Sequence, residues 1–199
     1  MTEIEKPYHH GQLRRALLEA AERTVRERGV DDLSLRELAR QTGVSHGAPR
    51  RHFADRQALL DALAEYGFER LGSDLRAAVE QAGEDFIARL RAAAAAYVRF
   101  AIEDSALLEL MFAGKHRSGA ATLQEAAERG FSVILKLIEQ GQAEGLVEAG
   151  DPERVGLILF ATVQGVAALV IAGIVEPEQL DGLLADSIEH FLRGSRIPA

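Results

Sequence analysis

An all-α fold of about nine helices, a small N-terminal unit joined to a larger C-terminal one, is predicted by three observations on the sequence. Apolar residues recur at the helical period of 3.6 in segment after segment, residues that cap or stop helices punctuate those segments, and no stretch alternates with the period of two that a half-buried strand needs. A chain of 199 residues is long enough to bury one or two cores. The boundary is placed after residue 54, giving units of residues 1–54 and 55–199.

The first helix is read from Gln12 to Arg28, where Leu13, Leu17, Ala20, Ala21, Thr24 and Val25 keep the period. Gly29 stands where a left-handed C-terminal cap falls. Ser34-Leu35-Arg36-Glu37 has the form of a capping box, with the Ser34 hydroxyl taking the Glu37 N–H and the Glu37 carboxylate returning to Ser34. The second helix then runs to about Thr42, and Gly43 stops it. Ser45 is expected to cap a short third helix ending near Phe53, with Pro49 tolerated close to its first turn. Asp55 caps a fourth, which passes through Leu59, Leu60, Leu63 and Leu71 to about Gly83 and links the two units. Further helices are read at about 85–102, 105–113, 121–144, 152–175 and 177–193. Asp151-Pro152-Glu153 marks the start of one of them, with Asp as cap and Pro in the first helical position. Gly114 to Gly119 is read as the one flexible loop away from the termini, and the alanines from Ala92 to Ala96 as a closely packed stretch of helix.

Charge is shared unevenly. The net charge is −8, but residues 1–56 carry +2 and four of the six histidines, while the remainder carries −10. A mildly basic head on an acidic body suits a protein that meets polyphosphate at one place only. The absence of cysteine excludes disulfides, Cys-based zinc sites and thiol nucleophiles. The polar, acidic N-terminal residues lack the apolar core of a signal peptide, which leads to the expectation of a cytoplasmic protein with a disordered lead-in.

Val155 to Val175 is a run of 21 residues without charge, long enough to span a bilayer. It lacks a basic flank, holds Thr162 and Gln164 mid-segment and has no companion span. It is therefore read as a helix buried on all sides in a protein with no membrane partner. The spacing of Ala161, Gly165, Ala168 and Ala172 gives it a face of small residues that lets another helix approach closely.

The segment Ser34 to Phe53 has the arrangement of a helix-turn-helix. Ala39 is small where two helices cross, Gly43 gives the turn its backbone freedom, and Val44, Leu38 and Phe53 anchor the pair to the first helix. What then points outward is His46, Gly47, Ala48, Arg50, Arg51 and His52, a density of polar and basic groups that packing does not explain and that suits binding to DNA. Gly43-Val44-Ser45-His46-Gly47 also fits the G-x-S-x-G pattern of a hydrolase nucleophile. That elbow needs a strand before the serine, and a capped helix precedes it here. No Glu-x-x-His or His-Glu-x-x-His pair offers a metal its ligands. No catalytic residue, metal or cofactor is expected, and pairs such as Glu19 with Arg23 are read as solvated helix faces.

Tyr8-His9-His10-Gly11 with Leu13-Arg14, then Gly43-Val44-Ser45, Gly47-Ala48-Pro49, Arg51-His52-Phe53 and Asp55-Arg56-Gln57-Ala58-Leu59-Leu60 closely resemble the DNA-binding domain of TetR-family repressors. The resemblance covers about the first 70 residues, and more weakly Phe160 to Gly165 resembles the C-terminal domain of one TetR subgroup. It implies that Ser34, Arg36, His52 and Arg56 hold phosphates, that Ser45, His46, Gly47, Ala48 and Arg51 face bases, and that His9 and His10 position the first helix. Arg50 stands where many members have tyrosine. Its charged fork suits a phosphate or a guanine edge, and both roles stay open.

In the C-terminal unit Leu107, Leu108, Met111 and Phe112 with Phe160 and Gln164 are candidates to line a cavity for a small-molecule effector, Gln164 serving as a rare polar handle. An ordinary core with one satisfied amide is the competing reading. The 152–175 helix, together with the stripe Leu180, Leu184, Ile188 and Phe191 of the last helix, looks like the pair that in this family joins a second copy as a four-helix bundle. The resemblance thus implies a ligand-responsive repressor that binds a palindromic operator as a homodimer, the alternative being a DNA binder whose C-terminal unit only dimerises or docks a protein.

Overall fold

The computed structural model describes residues 10–115 and 121–194; most of the loop read as flexible, and the N-terminal lead-in with His9, lie outside them. Among the described residues there are eight α-helices and two short 3-10 turns, without strands. The helices are α1 (His10–Arg28), α2 (Leu35–Thr42), α3 (Arg56–Gln81), α4 (Phe86–Glu103), α5 (Ser105–Lys115), α6 (Ala121–Ala143), α7 (Pro152–Ile171) and α8 (Leu180–Gly194). The 3-10 turns are Pro49–Arg51 and Pro177–Gln179.

Local chemistry sets most of these bounds. Asp55 Oδ1 accepts the Ala58 N–H at 2.8 Å ahead of α3, Asp85 accepts the Ala88 N–H at 2.7 Å ahead of α4, and Asp151 accepts the Glu153 N–H at 3.0 Å ahead of α7. Each satisfies a backbone donor that the first helical turn leaves without a partner. Gly29 and Gly43 close α1 and α2 with φ of 83° and 70°, a region L-residues avoid. α7 ends at Ile171, four residues short of the apolar run that announced it, because the chain turns at Gly173 with φ 66°.

The chain divides into two compact units that cut across the sequence boundary. The first gathers residues 1–67 with 106–123, and the second residues 68–105 with 124–199. In the first unit α1 and α2 cross with Ala39 fully buried, and Leu17, Ala20, Ala21, Val25, Leu38, Phe53, Leu59 and Leu63 form the core around them. Thr24, also buried, bonds the Ala20 carbonyl and joins Gln41, which ties α1 to α2. Met111 of α5 lies against Gly67, where a Cβ would fall 2.6 Å from its sulfur.

In the second unit α4, α7 and α8 pack on one another. α3 and α6 meet backbone to backbone where Gly72 faces Gly130, a Cβ on Gly72 falling 2.8 Å from the Gly130 Cα. Leu71, Leu75, Leu90, Ala93, Val98, Phe100 and Ile188 fill the interior. The buried carboxylate of Asp104 pairs with Arg70, whose guanidinium also covers the Phe100 ring at 4.4 Å.

Three expectations are corrected. The stretch from Ser45 to Phe53 is not a capped helix but a run of turns ending in the 3-10 turn Pro49–Arg51, held by i→i+3 bonds such as Ala48 N–H to the Ser45 carbonyl at 2.9 Å. Pro49 has no N–H to give and Gly47 is the costliest residue to fix in a helix, so only a tight turn survives. α7 is not buried on all sides within the chain. Leu157, Ile158, Ala161, Gly165, Ala168, Leu169 and Ala172 share one exposed face, with Leu157 and Ile158 65% and 54% accessible, while Leu159, Val163, Val166 and Ala167 point inward. Finally, Leu184, Ile188 and Phe191 of α8 are buried in their own chain and Leu180 is half-buried, so from Leu184 onward this stripe is core and not a surface left for a second copy.

Candidate nucleic-acid interface

α2 is brief, and its position is secured at both ends. The Ser34 hydroxyl accepts the Glu37 N–H at 3.2 Å, and Gly43 and Val44 return their N–H groups to the carbonyls of Arg40 and Ala39. The second half of the expected capping box does not form. The Glu37 carboxylate instead receives Arg40 Nε and Nη2 at 2.9 and 2.7 Å and Gln41 Nε2 at 3.0 Å, with Arg28 of α1 at 3.5 Å. A bidentate arginine outcompetes a single backbone donor for the same oxygens. The bonds from Arg40, then those from Gln41, hold the Glu37 carboxyl down to about 2, and Glu37 in turn raises the Arg40 guanidinium.

Around that frame the basic and polar side chains are displayed. Ser34, Arg36, Ser45, His46, Gly47, Arg50 and Arg51 are exposed, Ala48 and His52 are half-buried, and Pro49 and Phe53 are buried beneath them. The turn is thus an apolar foot, Pro49 and Phe53, carrying a polar rim. Arg14 of α1 lies over the Phe53 ring at 5.6 Å, a cation–π contact that braces the foot from the α1 side. Arg14 was not singled out for this role, since only the fold brings residues 14 and 53 together.

Arg56 occupies an unexpected place for a phosphate ligand. Its Nε donates to the Leu33 carbonyl at 3.1 Å and its Nη2 to the Val30 carbonyl at 2.7 Å.

The residues proposed for a cavity fall in different units. Met111 is buried and Phe112 half-buried in the first unit. In the second, the Gln164 carbonyl accepts the Tyr97 hydroxyl, and the Phe160 ring meets Tyr97 at 5.4 Å and Phe131 at 5.6 Å, both edge to face. Burial pushes the Tyr97 phenol well above its usual range. Tyr97 and Phe131 escaped the sequence reading because an aromatic at a helical spacing is indistinguishable there from ordinary core.

Residues 17–63 match the bacterial regulatory proteins of the tetR family, and residues 90–193 match the tetracyclin repressor-like C-terminal domain. The chain belongs to the TetR family. Along 191 residues it is 28% identical to the HTH-type transcriptional repressor Rv1474c of Mycobacterium tuberculosis, covering 94% of this chain and 96% of that protein. It is 36% identical to the HTH-type transcriptional regulator BetI of Brucella canis over 69 residues, only 35% of either chain. A solved structure of a protein of unknown function from Rhodococcus sp. RHA1 superimposes with a TM-score of 0.86 at 46% identity, covering 97% of this chain and all of that one. This TetR chain therefore shares its fold with a relative of unassigned function, nearly its whole length with a named repressor, and its head with BetI.

Proposed function

We propose that this TetR-family chain represses transcription by binding a palindromic operator as a homodimer, and that a small-molecule effector releases it. The observation that carries the reading is the rim of Ser45, His46, Gly47, Ala48, Arg50 and Arg51 raised on the buried foot of Pro49 and Phe53, next to a capped α2 whose first turn presents Ser34 and Arg36. A rigid, basic, solvent-facing turn beside a helix N-terminus is what a major groove and its flanking phosphates require. Ser34, Arg36 and His52 take the phosphates, the rim residues from Ser45 to Ala48 and Arg51 meet base edges, and Arg50 reaches either a phosphate or a guanine. Residues 1–54 serve as the DNA reader and residues 55–199 as the effector and dimer domain, the effector meeting Phe160 and Gln164.

The reading is tested by enriching duplexes from a randomised pool and titrating the winner by fluorescence anisotropy over a range of salt. Enrichment of a two-fold symmetric site is the expected result. Arg36→Ala is expected to weaken every duplex alike and lower the salt slope by about one, since a phosphate contact releases a counterion without reading sequence. Failure to enrich any duplex rejects the reading.

A second reading, a regulator with no small-molecule ligand, is favoured by the Tyr97–Gln164 hydrogen bond and the ring packing on Phe160. That bond already satisfies the amide carbonyl that was to meet an effector. Thermal-shift screening against a small-molecule collection separates the two, because a ligand that binds only the folded chain must raise its Tm.

A further inference from the structure

We infer that Arg56 is a positioning residue that clamps the α1–α2 loop and so sets the N-terminus of α2, instead of holding a DNA phosphate itself. The inference rests on the DNA-binding reading above and changes the task of one of its residues. The loop between Gly29 and Ser34 is anchored by the buried Leu33 side chain, and its backbone is held among the described residues by Gly29 N–H to the Val25 carbonyl and Leu33 N–H to the Val30 carbonyl. Arg56, 23 and 26 residues further along the chain, closes that loop from outside by donating Nε to Leu33 O and Nη2 to Val30 O. Leu33 is buried and Ser34, the next residue, is the cap of α2. A displacement of this carbonyl pair therefore moves the Ser34 hydroxyl and the N–H groups beside it.

Two features favour the clamp over a phosphate ligand. Nε and Nη2 form the side edge of the guanidinium, one of its two edges able to hold a phosphate with paired bonds, and both of its nitrogens already face carbonyls. A cation in the first turn of a helix is also opposed by the helix dipole, so a residue kept there needs a partner. The carbonyls of Val30 and Leu33 supply one, and a planar fork is needed to reach both.

Arg56→Lys decides the matter because it keeps the charge and loses the fork. A lysine is an adequate phosphate ligand, yet its single ammonium cannot reproduce the planar pair of bonds to Val30 and Leu33. The probe is a fluorescein-labelled duplex enriched from a randomised pool by the wild-type chain. Arg56→Lys is expected to bind it about ten-fold more weakly, the net worth of about one to two hydrogen bonds, with the salt slope unchanged. In the free protein the amides of residues 34–38 are expected to exchange with solvent about ten-fold faster, while the exchange of α4 stays as in the wild type. Near wild-type affinity for Arg56→Lys together with a slope lowered by about one in Arg56→Ala would return Arg56 to the phosphates and overturn the clamp. Unchanged exchange at residues 34–38 would overturn it too. If the wild-type chain binds no duplex, the DNA-binding reading falls by itself, and the exchange measurement still tests the tie between α3 and the loop without DNA.

Discussion

At the scale of single residues, the rim of the turn separates side chains that can read a base from those that hold the frame. Arg51 is exposed, so its fork can present paired donors to one base edge. Arg51→Ala is expected to lose discrimination at particular positions of the enriched site, by about 1–3 kcal/mol per base pair, while binding to random duplexes changes little. Equal loss on both would make Arg51 a phosphate ligand. Glu37 belongs to the frame. Its carboxyl, ordinarily near 4.5, is held to about 2 by Arg40 and Gln41, so the ionised form stabilises the fold above about 4.5 and that contribution disappears as the pH falls toward 2. The Tm advantage of the wild type over Glu37→Gln should therefore shrink over that interval, less visibly in high salt because the pair is exposed. An advantage independent of pH would show that the carboxylate charge does no such work. The sequence revealed Ser34 as the cap because cap and target lie three residues apart; it misdirected Glu37 because the spacing does not rank the Ser34 backbone donor against Arg40, which offers the same carboxylate two donors from within the helix.

At the scale of elements, helix starts were legible where a cap stands next to them, as at Asp55 and Asp151, since a cap acts within one turn. The missing recognition helix was not, because Pro49 is compatible with a first turn in principle and only the absence of its donor, so close to Gly47, decides for a 3-10 turn. The end of α7 was hidden as well: an apolar run carries no mark of where it stops being helical. Helix crossings leave a mark only through residue size, and Gly72 with Gly130 is such a case. Adding a methyl at Gly72 gains up to about 1 kcal/mol of helix propensity, but its Cβ falls 2.8 Å from the Gly130 Cα and 3.2 Å from its carbonyl oxygen. Backbone cannot step aside as a flexible side chain does, so Gly72→Ala is expected to be destabilising by about 1–3 kcal/mol. Gly156, whose nearest neighbour would be an Ile138 carbon at 4.0 Å, is the control: Gly156→Ala should leave stability unchanged or raise it. Urea midpoints of the two variants check the contrast, and a stabilised Gly72→Ala would mean that α3 and α6 do not touch there.

At the scale of the whole molecule, one face of α7 remains to be accounted for. Its inward residues, Leu159, Val163, Val166 and Ala167, pack on α4 and α8, whereas Leu157, Ile158 and Leu169 stand exposed with Ala161, Gly165, Ala168 and Ala172 among them. Large side chains alternating with small ones make ridges and holes, and a surface of that kind can pair with its own copy about a two-fold axis. A contiguous apolar patch left in water is rare on a monomer, and an operator of two half-sites needs two readers held one helical turn of DNA apart. If the chain acts as the proposed homodimer, this face is the one expected to receive the second copy. Ala168→Glu probes it cleanly, since residue 168 is exposed in the single chain and a glutamate there is solvated in the monomer but faces its own symmetry mate in the dimer. The variant should fold with an unchanged helical spectrum and sediment at half the wild-type mass. Operator binding should then weaken by about two orders of magnitude or more, because the second half-site contact is no longer intramolecular. Binding to a single half-site should stay as in the wild type. A variant that still sediments as a dimer places the interface elsewhere; one that becomes a monomer yet keeps full operator affinity would show that this chain reads DNA one copy at a time.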